Sequence, residues 1–182
     1  MYHDLPDDPG DRDMRRLQLA KRLVQHRART QTIFGFTGIS RHQLATLRLR
    51  WRVTQTMRHR GPSPTSFAVF FRSPLARSEG TAAAVIFALF VPPAHLHAHA
   101  HGPQFAELAA GECLCEVFEA FQACFPASEL EFEHLVLLIR GIAKRESIGL
   151  QACSRCSNAT LIDRLATTQQ PCGPCERLAA LA

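Results

Sequence analysis

Apolar residues recur along this chain at intervals of three and four, which is the period of an α-helix. Leu17, Ala20, Val24 and Ala28 form one such stripe, with arginines on the other faces. Later stripes comprise Leu114, Phe118, Phe121 and Phe125, and then Phe132, Leu135, Leu138, Ile139 and Ile142. The pattern predicts five helices: Met14 to about Ile33, one that begins at Ser40, Glu79–Val91, Phe105–Phe125, and Ser128 to about Glu146, which Gly149 ends.

The first two predicted helices are separated by Phe34-Gly35-Phe36-Thr37-Gly38, where two glycines interrupt the helical pattern. Ser40 with Gln43 three residues later is a capping box, in which each side chain bonds the other residue's backbone N–H. The second helix is expected to bury Leu44, Leu47 and Trp51 and to carry Arg41, Arg48 and Arg52 on a neighbouring stripe. A helix, a glycine-containing turn and an arginine-bearing helix outline a helix-turn-helix.

The remaining segments are interpreted as loops and packing residues. Gly61-Pro62-Ser63-Pro64 is typical of a loop, which Phe67, Phe70 and Phe71 are expected to anchor to the core. Pro92–Pro103 is a predicted linker. It contains His95, His97, His99 and His101, and a histidine-rich loop is commoner there than a metal site. Cys113, Cys115 and Cys124 are interpreted as small packing residues.

The strongest chemical signal is a set of four cysteines near the C-terminus. Cys153-Ser154-Arg155-Cys156 and Cys172-Gly173-Pro174-Cys175 are two Cys-x-x-Cys pairs separated by fifteen residues. This spacing is typical of a structural Zn²⁺ site, because two such turns bring four thiolates into a tetrahedron. Residues 151–182 hold few large apolar side chains, so metal binding would supply their folding energy. The sequence predicts a zinc-ribbon-like module with one Zn²⁺ per chain.

A redox site is the alternative, because Cys-Gly-Pro-Cys is also the thioredoxin-type active-site sequence. Such a site needs a Cys-x-x-Cys at the start of a helix within a βαβ unit. Only seven residues follow Cys175, and a redox site would leave Cys153 and Cys156 unexplained. The zinc interpretation is therefore favoured.

The net charge of +5 is unevenly distributed along the chain. Residues 14–78 contain fourteen Lys or Arg residues and no carboxylate, whereas residues 1–13 and 79–182 are each net negative. A block of this kind attracts polyanions, and arginine pairs with phosphate and guanine through two donors. Double-stranded DNA is the favoured partner over an acidic protein or a membrane surface. The candidate contacts are Arg41, Arg48 and Arg52, with Arg15 and Arg16 for phosphate alone and Arg155 in the cysteine module.

Composition and length suggest a cytoplasmic, non-enzymatic protein. Seven cysteines without a secretory signal favour a reducing compartment, and the apolar run Ala82–Val91 is too short to span a membrane. No nucleophile lies near the carboxylates, which the pattern assigns to solvated helix faces: Glu107, Glu112, Glu116, Glu119, Glu129, Glu131 and Glu133. The expected organisation is a flexible acidic tail (1–13), a helical DNA- and partner-binding domain (14–150) and the zinc module (151–182).

Several segments together resemble the FlhC family of bacterial flagellar gene activators. They are Gln18-Leu19-Ala20 with Ala28-Arg29, Ile39-Ser40-Arg41 with Leu44, Gly61-Pro62-Ser63-Pro64 with Phe67, and Leu135–Leu150 leading into the four cysteines. Two departures stand out. Ser157-Asn158 replace glycines of the family pattern, and Phe70 and Phe71 stand where tryptophans are expected. Residues 79–130 match only in helical character.

The resemblance implies a transcription activator that binds promoter DNA beside an FlhD subunit, contacts RNA polymerase and carries zinc on Cys153, Cys156, Cys172 and Cys175. It implies a role in flagellum biogenesis. Two alternatives stay open from the residues alone: a zinc-containing nucleic-acid binder that acts without a partner, and an interaction module that binds an acidic protein and no DNA.

Overall fold

The computed structural model describes residues 9–53, 63–90, 108–145, 147–168 and 171–181. Helices predominate among these residues: α1 (Pro9–Gln25), α2 (Thr30–Thr37), α3 (Arg41–Arg50), α4 (Pro74–Phe90), α5 (Leu108–Cys124), α6 (Phe132–Lys144) and α7 (Gly173–Ala180). A 3-10 turn (Phe67–Phe70) precedes α4, and the strands β1 (Ile148–Ala152) and β2 (Ala159–Asp163) form an antiparallel hairpin. The predicted fold, mainly α with a C-terminal cysteine-bearing module, is confirmed.

The chain divides into two compact units. The first comprises Met1–Pro62 and Pro103–Cys115, and the second comprises Ser63–Gly102 and Glu116–Ala182. The predicted boundary at 150/151 does not coincide with this division, because the cysteine module lies in the same unit as α4 and α6. The predicted acidic tail is also shorter than expected, since Pro9–Asp13 form the start of α1.

The helix predicted over Met14–Ile33 is two helices. The chain leaves α1 at Arg27, which adopts a left-handed conformation with φ of +58°. The Ala28 N–H then bonds the carbonyl of Leu23 at 2.9 Å, which closes the end of α1 in a Schellman-type cap. Glycine usually occupies this position, so an arginine there gave no sign of the break.

The turn after α2 also differs in detail from the prediction. Gly35 lies inside α2, and only Gly38 ends it, with φ of +66° and its N–H bonded to the Phe34 carbonyl at 2.8 Å. The capping box of α3 is confirmed, with Ser40 N donating to Gln43 Oε1 at 2.9 Å and Gln43 N donating to Ser40 Oγ at 3.3 Å. The helix-turn-helix outline is therefore formed by α2 and α3.

The core of the first unit lies between α1, α2, α3 and the start of α5. Leu23, Ile33 and Leu44 are fully buried there, whereas Leu47 and Trp51 are only half-buried. Gly111 of α5 is needed for close packing, because a Cβ at that position would lie 2.8 Å from Leu19 Cδ2 and 3.0 Å from Phe36 Cβ.

The second unit is built around α4, α6 and the later part of α5. Phe70 is buried as predicted, and the ring of Phe67 lies against the backbone of Gly141 in α6, so these residues anchor the segment before α4. The buried faces of the last two predicted helices are largely confirmed. The buried members are Leu114, Phe118 and Phe121 on α5, and Phe132, Leu135, Leu138 and Ile139 on α6.

Several predicted boundaries were wrong. Helix α4 begins at Pro74 rather than Glu79, and Leu89 and Phe90 at its end are exposed. Phe125 follows α5 instead of lying on its inner face. Helix α6 ends at Lys144 with Arg145 in a left-handed conformation, so the helix stops before Gly149, which is a residue of β1. Residues 91–107, with the four predicted linker histidines, lie outside the described residues.

Within the described segments, no helix is both long enough and apolar enough to cross a lipid bilayer.

Candidate metal centre

The β1–β2 hairpin positions the first cysteine pair. The strands pair from Ile148 with Asp163 to Ala152 with Ala159, so Cys153 and Cys156 lie in the connection at the end of the ladder. The Cys153 N–H bonds the Asn158 carbonyl at 2.8 Å, and the Ser157 N–H bonds the Cys153 carbonyl at 2.9 Å. Ser157 completes the turn with φ of +60°. This tight turn directs both sulfurs of the pair toward one point.

The second cysteine pair lies at the start of α7. Cys172 is the N-cap residue, Gly173 and Pro174 form the beginning of the helix, and Cys175 follows within the first turn. The Cys172 N–H donates to Cys153 Sγ at 3.3 Å, which joins this helix start directly to the hairpin connection. The tertiary structure thereby brings two segments nineteen residues apart into one cluster.

The four sulfurs have a geometry that fits a tetrahedral metal ion. All four Sγ atoms lie within 4.8 Å of one another, and Cys156 Sγ is 3.5 Å from Cys172 Sγ. A tetrahedron of thiolates with metal–sulfur bonds of about 2.3 Å has edges of about 3.8 Å. The cluster can therefore close on a metal ion with small movements. Cys153 and Cys172 are buried, whereas Cys156 is exposed.

The thiol pKa values show how the cluster would accept a metal ion. Backbone N–H groups of Cys172, Arg155 and Cys156 lower the pKa of Cys153 to about 6. Burial raises the pKa of Cys172, and hydrogen bonds with the thiols of Cys172 and then Cys156 raise the pKa of Cys175 to about 12. Without a metal ion, the site near neutral pH holds the Cys153 thiolate and the protonated thiols of Cys172 and Cys175.

Metal affinity is expected to rise steeply with pH. Cys172 and Cys175 must each lose a proton to bind, and the raised pKa of each means that both protons are still present at pH 7 to 8. Each displaced proton contributes about 10-fold to the affinity per unit of pH, so these two protons alone contribute about 100-fold. Competition titrations of Zn²⁺ against a chromophoric chelator at several pH values would measure this slope. An affinity that stays constant from pH 6.5 to 8 would contradict it.

The cysteine module is anchored on α4. The Leu161 N–H donates to Thr81 Oγ1 at 2.9 Å, and the Leu161 side chain packs against Gly80. Arg77 donates to the Pro171 carbonyl at 2.6 Å and lies 2.9 Å from the Glu176 carboxylate. Sequence reasoning missed Arg77. A usable signal existed, because Arg77 lies on the same helical stripe as the buried Gly80, Ala84 and Phe87.

The redox alternative meets one of its two structural requirements. Cys172 does lie at the start of a helix. The strands in the described part of the chain, however, form only a two-stranded antiparallel hairpin, with no βαβ unit. The sulfurs of Cys153 and Cys156 lie within 4.8 Å of those of Cys172 and Cys175. The arrangement favours metal coordination.

The structure places the arginines proposed for DNA in different local environments. Arg15 forms two hydrogen bonds to the Glu112 carboxylate at 3.2 and 2.8 Å, and Arg16 bonds Asp13 and the Thr37 carbonyl. Arg48 is half-buried and donates to Thr30 Oγ1 at 3.1 Å. Arg52 lies beyond the end of α3 with φ of +55°, so the predicted stripe on one helix is wrong. Arg41 and Arg155 are exposed.

Carboxylates from elsewhere in the chain neutralise part of the basic block of residues 14–78. Carboxylates outside residues 14–78 pair with four of its arginines: Arg15 with Glu112, Arg16 with Asp13, Arg72 with Glu129, and Arg77 with Glu176. Glu133, assigned to a solvated face, is 3% exposed and lies near Ser63 Oγ. Apart from Asp13, which is three residues from Arg16, these partners are distant in the chain, and local sequence gives no information on them.

The three other cysteines differ in their environments. Cys115 is fully buried in α5, as expected of a packing residue, whereas Cys113 is half-buried and Cys124 is exposed. None of the three belongs to the four-cysteine cluster.

No protein-family model matches the chain, and no curated protein sequence matches it significantly.

Proposed function

We propose that this chain is a zinc-containing, DNA-binding transcription regulator of the FlhC type, which acts with an FlhD-like subunit and RNA polymerase at flagellar promoters. The observation that carries the proposal is the four-cysteine cluster. Cys153, Cys156, Cys172 and Cys175, the four positions that the resemblance assigns to zinc, have Sγ atoms within 4.8 Å of one another. The family, the partner and the flagellar role rest on the resemblance in sequence.

Zinc is the metal that best suits this cluster. Four thiolate ligands in a tetrahedron are typical of Zn²⁺ or an iron–sulfur centre, whereas Mg²⁺ and Ca²⁺ require oxygen ligands. The cluster occupies all four positions with protein sulfurs, which is the pattern of structural rather than catalytic zinc. The metal would then hold the hairpin against the start of α7 and leave no open position for a substrate.

A second feature supports DNA binding, although it differs from the arginine stripe expected from sequence. The basic end of the first unit is the region where α1 and α3 end and α2 begins. It consists of Arg27, Arg48, Arg50 and Arg52. The bond from Arg48 to Thr30 Oγ1 joins the end of α3 to the start of α2. Arg27, Arg50 and Arg52 are exposed and have no ion pair within the part of the chain that the structure describes.

Acidic side chains lie far from this basic end along α1. Asp11 and Asp13, the two carboxylates among residues 9–53, are in the first turns of that helix. Twelve residues separate Asp13 from Gln25, or roughly 18 Å at 1.5 Å per residue. This distance exceeds the screening length of about 8 Å at physiological salt, so these two carboxylates do little to offset the positive potential of the exposed arginines. Such a surface suits the phosphates of double-stranded DNA.

The direct test is co-expression with an FlhD homologue, followed by gel-shift titration on flagellar promoter DNA over a range of salt concentrations. A defined hetero-oligomer that binds promoter DNA more tightly than random DNA would support the whole proposal. Tight DNA binding by the chain alone would favour the partner-independent regulator. If neither the chain nor its complex binds DNA in low salt, the remaining interpretation is an interaction module that binds an acidic protein.

Substitutions in the basic end are expected to weaken DNA binding and to reduce its salt dependence. Arg50→Ala and Arg52→Ala should each lower the slope of log affinity against log salt by about 0.9 for every phosphate that the variant no longer neutralises. Arg41→Ala tests the opposite end of α3, and Arg140→Ala, an exposed arginine of the second unit, is the control. If both basic-end variants bind like the parent with an unchanged slope, that surface does not contact DNA.

A further inference from the structure

Arg77 is a buried charge in the middle of the second unit. Its side chain is only 3% exposed, although it lies on α4 among apolar neighbours. Removal of a guanidinium from water is costly unless its donors are satisfied by close partners. The contacts of the Arg77 guanidinium therefore indicate the structural role of this residue.

Those contacts lie on both sides of the second cysteine pair. Arg77 Nη1 donates to the carbonyl of Pro171, the residue before Cys172, at 2.6 Å. The same nitrogen lies 2.9 Å from Oε2 of Glu176, the residue after Cys175. One guanidinium thus holds the segment that carries two sulfurs of the cluster at its beginning and at its end.

Neighbouring positions of α4 contact the same module. A Cβ at Gly173 would meet the Pro74 carbonyl and the Ser78 hydroxyl, and Thr81 Oγ1 accepts the hydrogen bond from Leu161 N in β2. Positions 74, 77, 78 and 81 are spaced by three and four residues, so they form one face of α4. This face contacts both the start of α7 and the hairpin.

We propose that Arg77 is a positioning residue of the metal centre, which fixes the Cys172–Cys175 segment on α4 in the conformation that binds the ion. The inference rests on the proposed metal binding. Arg77 acts on the sulfurs indirectly, through the Pro171 carbonyl and the Glu176 carboxylate. Metal binding and the packing of α4 are consequently coupled, because each stabilises the same conformation of this segment.

Loss of this clamp is expected to weaken metal binding by at most about 10- to 100-fold, the range seen when a group bonded directly to a metal ligand is removed, because Arg77 contacts only the residues next to two of the cysteines. Arg77→Met keeps much of the buried stem but removes both polar interactions. Glu176→Gln keeps a hydrogen-bond acceptor and removes the charge, so a smaller loss is expected. Arg72→Met is the matched control, because Arg72 pairs with Glu129 on the surface, away from the cysteines.

The experiment uses the full chain and measures Zn²⁺ affinity by chelator competition, together with thermal unfolding after chelation. A positioning role predicts weaker Zn²⁺ binding by the Arg77→Met and Glu176→Gln variants and parental affinity in Arg72→Met. A merely structural role predicts lower stability of the chelated protein with unchanged Zn²⁺ affinity, and that result would overturn the inference.

Two further outcomes of the experiment can be distinguished from these results. If Arg77→Met does not fold, the same affinity measurement on Arg77→Lys and Glu176→Gln tests the positioning role. Each of these variants keeps a polar group at its position. Unchanged affinity in both would reject the clamp. If the parent protein binds no Zn²⁺, the metal part of the proposed function fails, and this inference fails with it. Parental binding together with unaffected variants rejects the role of Arg77 alone.

Discussion

Replacement of Cys153 by serine is expected to abolish metal binding and to unfold the cysteine module. Cys153 is a buried member of the cluster, and its sulfur also accepts the N–H groups of Cys172 and Arg155. Structural Zn²⁺ contributes on the order of 10 kcal/mol or more to small modules of this kind. The hairpin and α7 bury few large side chains, and Leu165, Leu178 and Leu181 are exposed, so packing does not compensate for this loss.

Elemental analysis and amide hydrogen exchange would test the Cys153→Ser variant. We expect no bound zinc and fast exchange over Ile148–Asp163 and Gly173–Ala180. Faster exchange is also expected in α4, which packs against both segments. Cys124→Ser is the matched control, because Cys124 is exposed and lies outside the cluster. The zinc content of this variant should equal that of the parent protein. A parent protein without zinc but with a reducible Cys172–Cys175 disulfide would instead indicate redox chemistry.

Replacement of Gly173 by alanine is expected to destabilise the second unit by about 1–3 kcal/mol or more, as in other overpacked sites. Gly173 is buried at the start of α7, and an added Cβ would collide with the Pro74 carbonyl oxygen. That oxygen belongs to the first residue of α4, so relief requires a shift of one helix against the other. A shift of α7 would also displace the sulfur of the adjacent Cys172.

Denaturant unfolding of the zinc-loaded protein, with the zinc content measured in parallel, would test Gly173→Ala. Gly35→Ala provides a control of opposite sign. Gly35 lies inside α2 with nothing within 4 Å of an added Cβ, so alanine should stabilise that helix by about 0.5–1 kcal/mol. Equal stability of Gly173→Ala and the parent would mean that α4 and α7 do not pack as closely as the structure has them.

Helices with long apolar stripes could be predicted from the sequence, but their limits could not. Most inward residues of α5 and α6 were correctly identified because each stripe repeats over several turns, whereas Phe125 follows α5 and is exposed. The separation of α1 from α2 was missed, since the chain turns at Arg27 without glycine or proline. Tertiary contacts decide such a break, here by burial of Ala28 and by the bond of its N–H to the Leu23 carbonyl.

The charged residues were the least predictable part of the candidate sites. Arg15 and Arg16 were assigned to phosphate, yet each is paired with a carboxylate of the protein. Glu112 lies 97 positions from Arg15 in the chain, and no local pattern indicates such a pair. Ion pairs depend on distance in space, which hydrophobic periodicity does not report.

The sequence by itself determined the helical character of this protein and the four cysteines of its candidate metal centre. Both signals are local, because helical periodicity and a Cys-x-x-Cys turn depend on residues within a few positions of one another. Only the tertiary structure decided that the cluster is anchored on α4 through Arg77, and that the exposed Arg27, Arg50 and Arg52 lie at the ends of α1 and α3. These arrangements arise from contacts between segments distant in the chain, whose energies depend on how the helices pack.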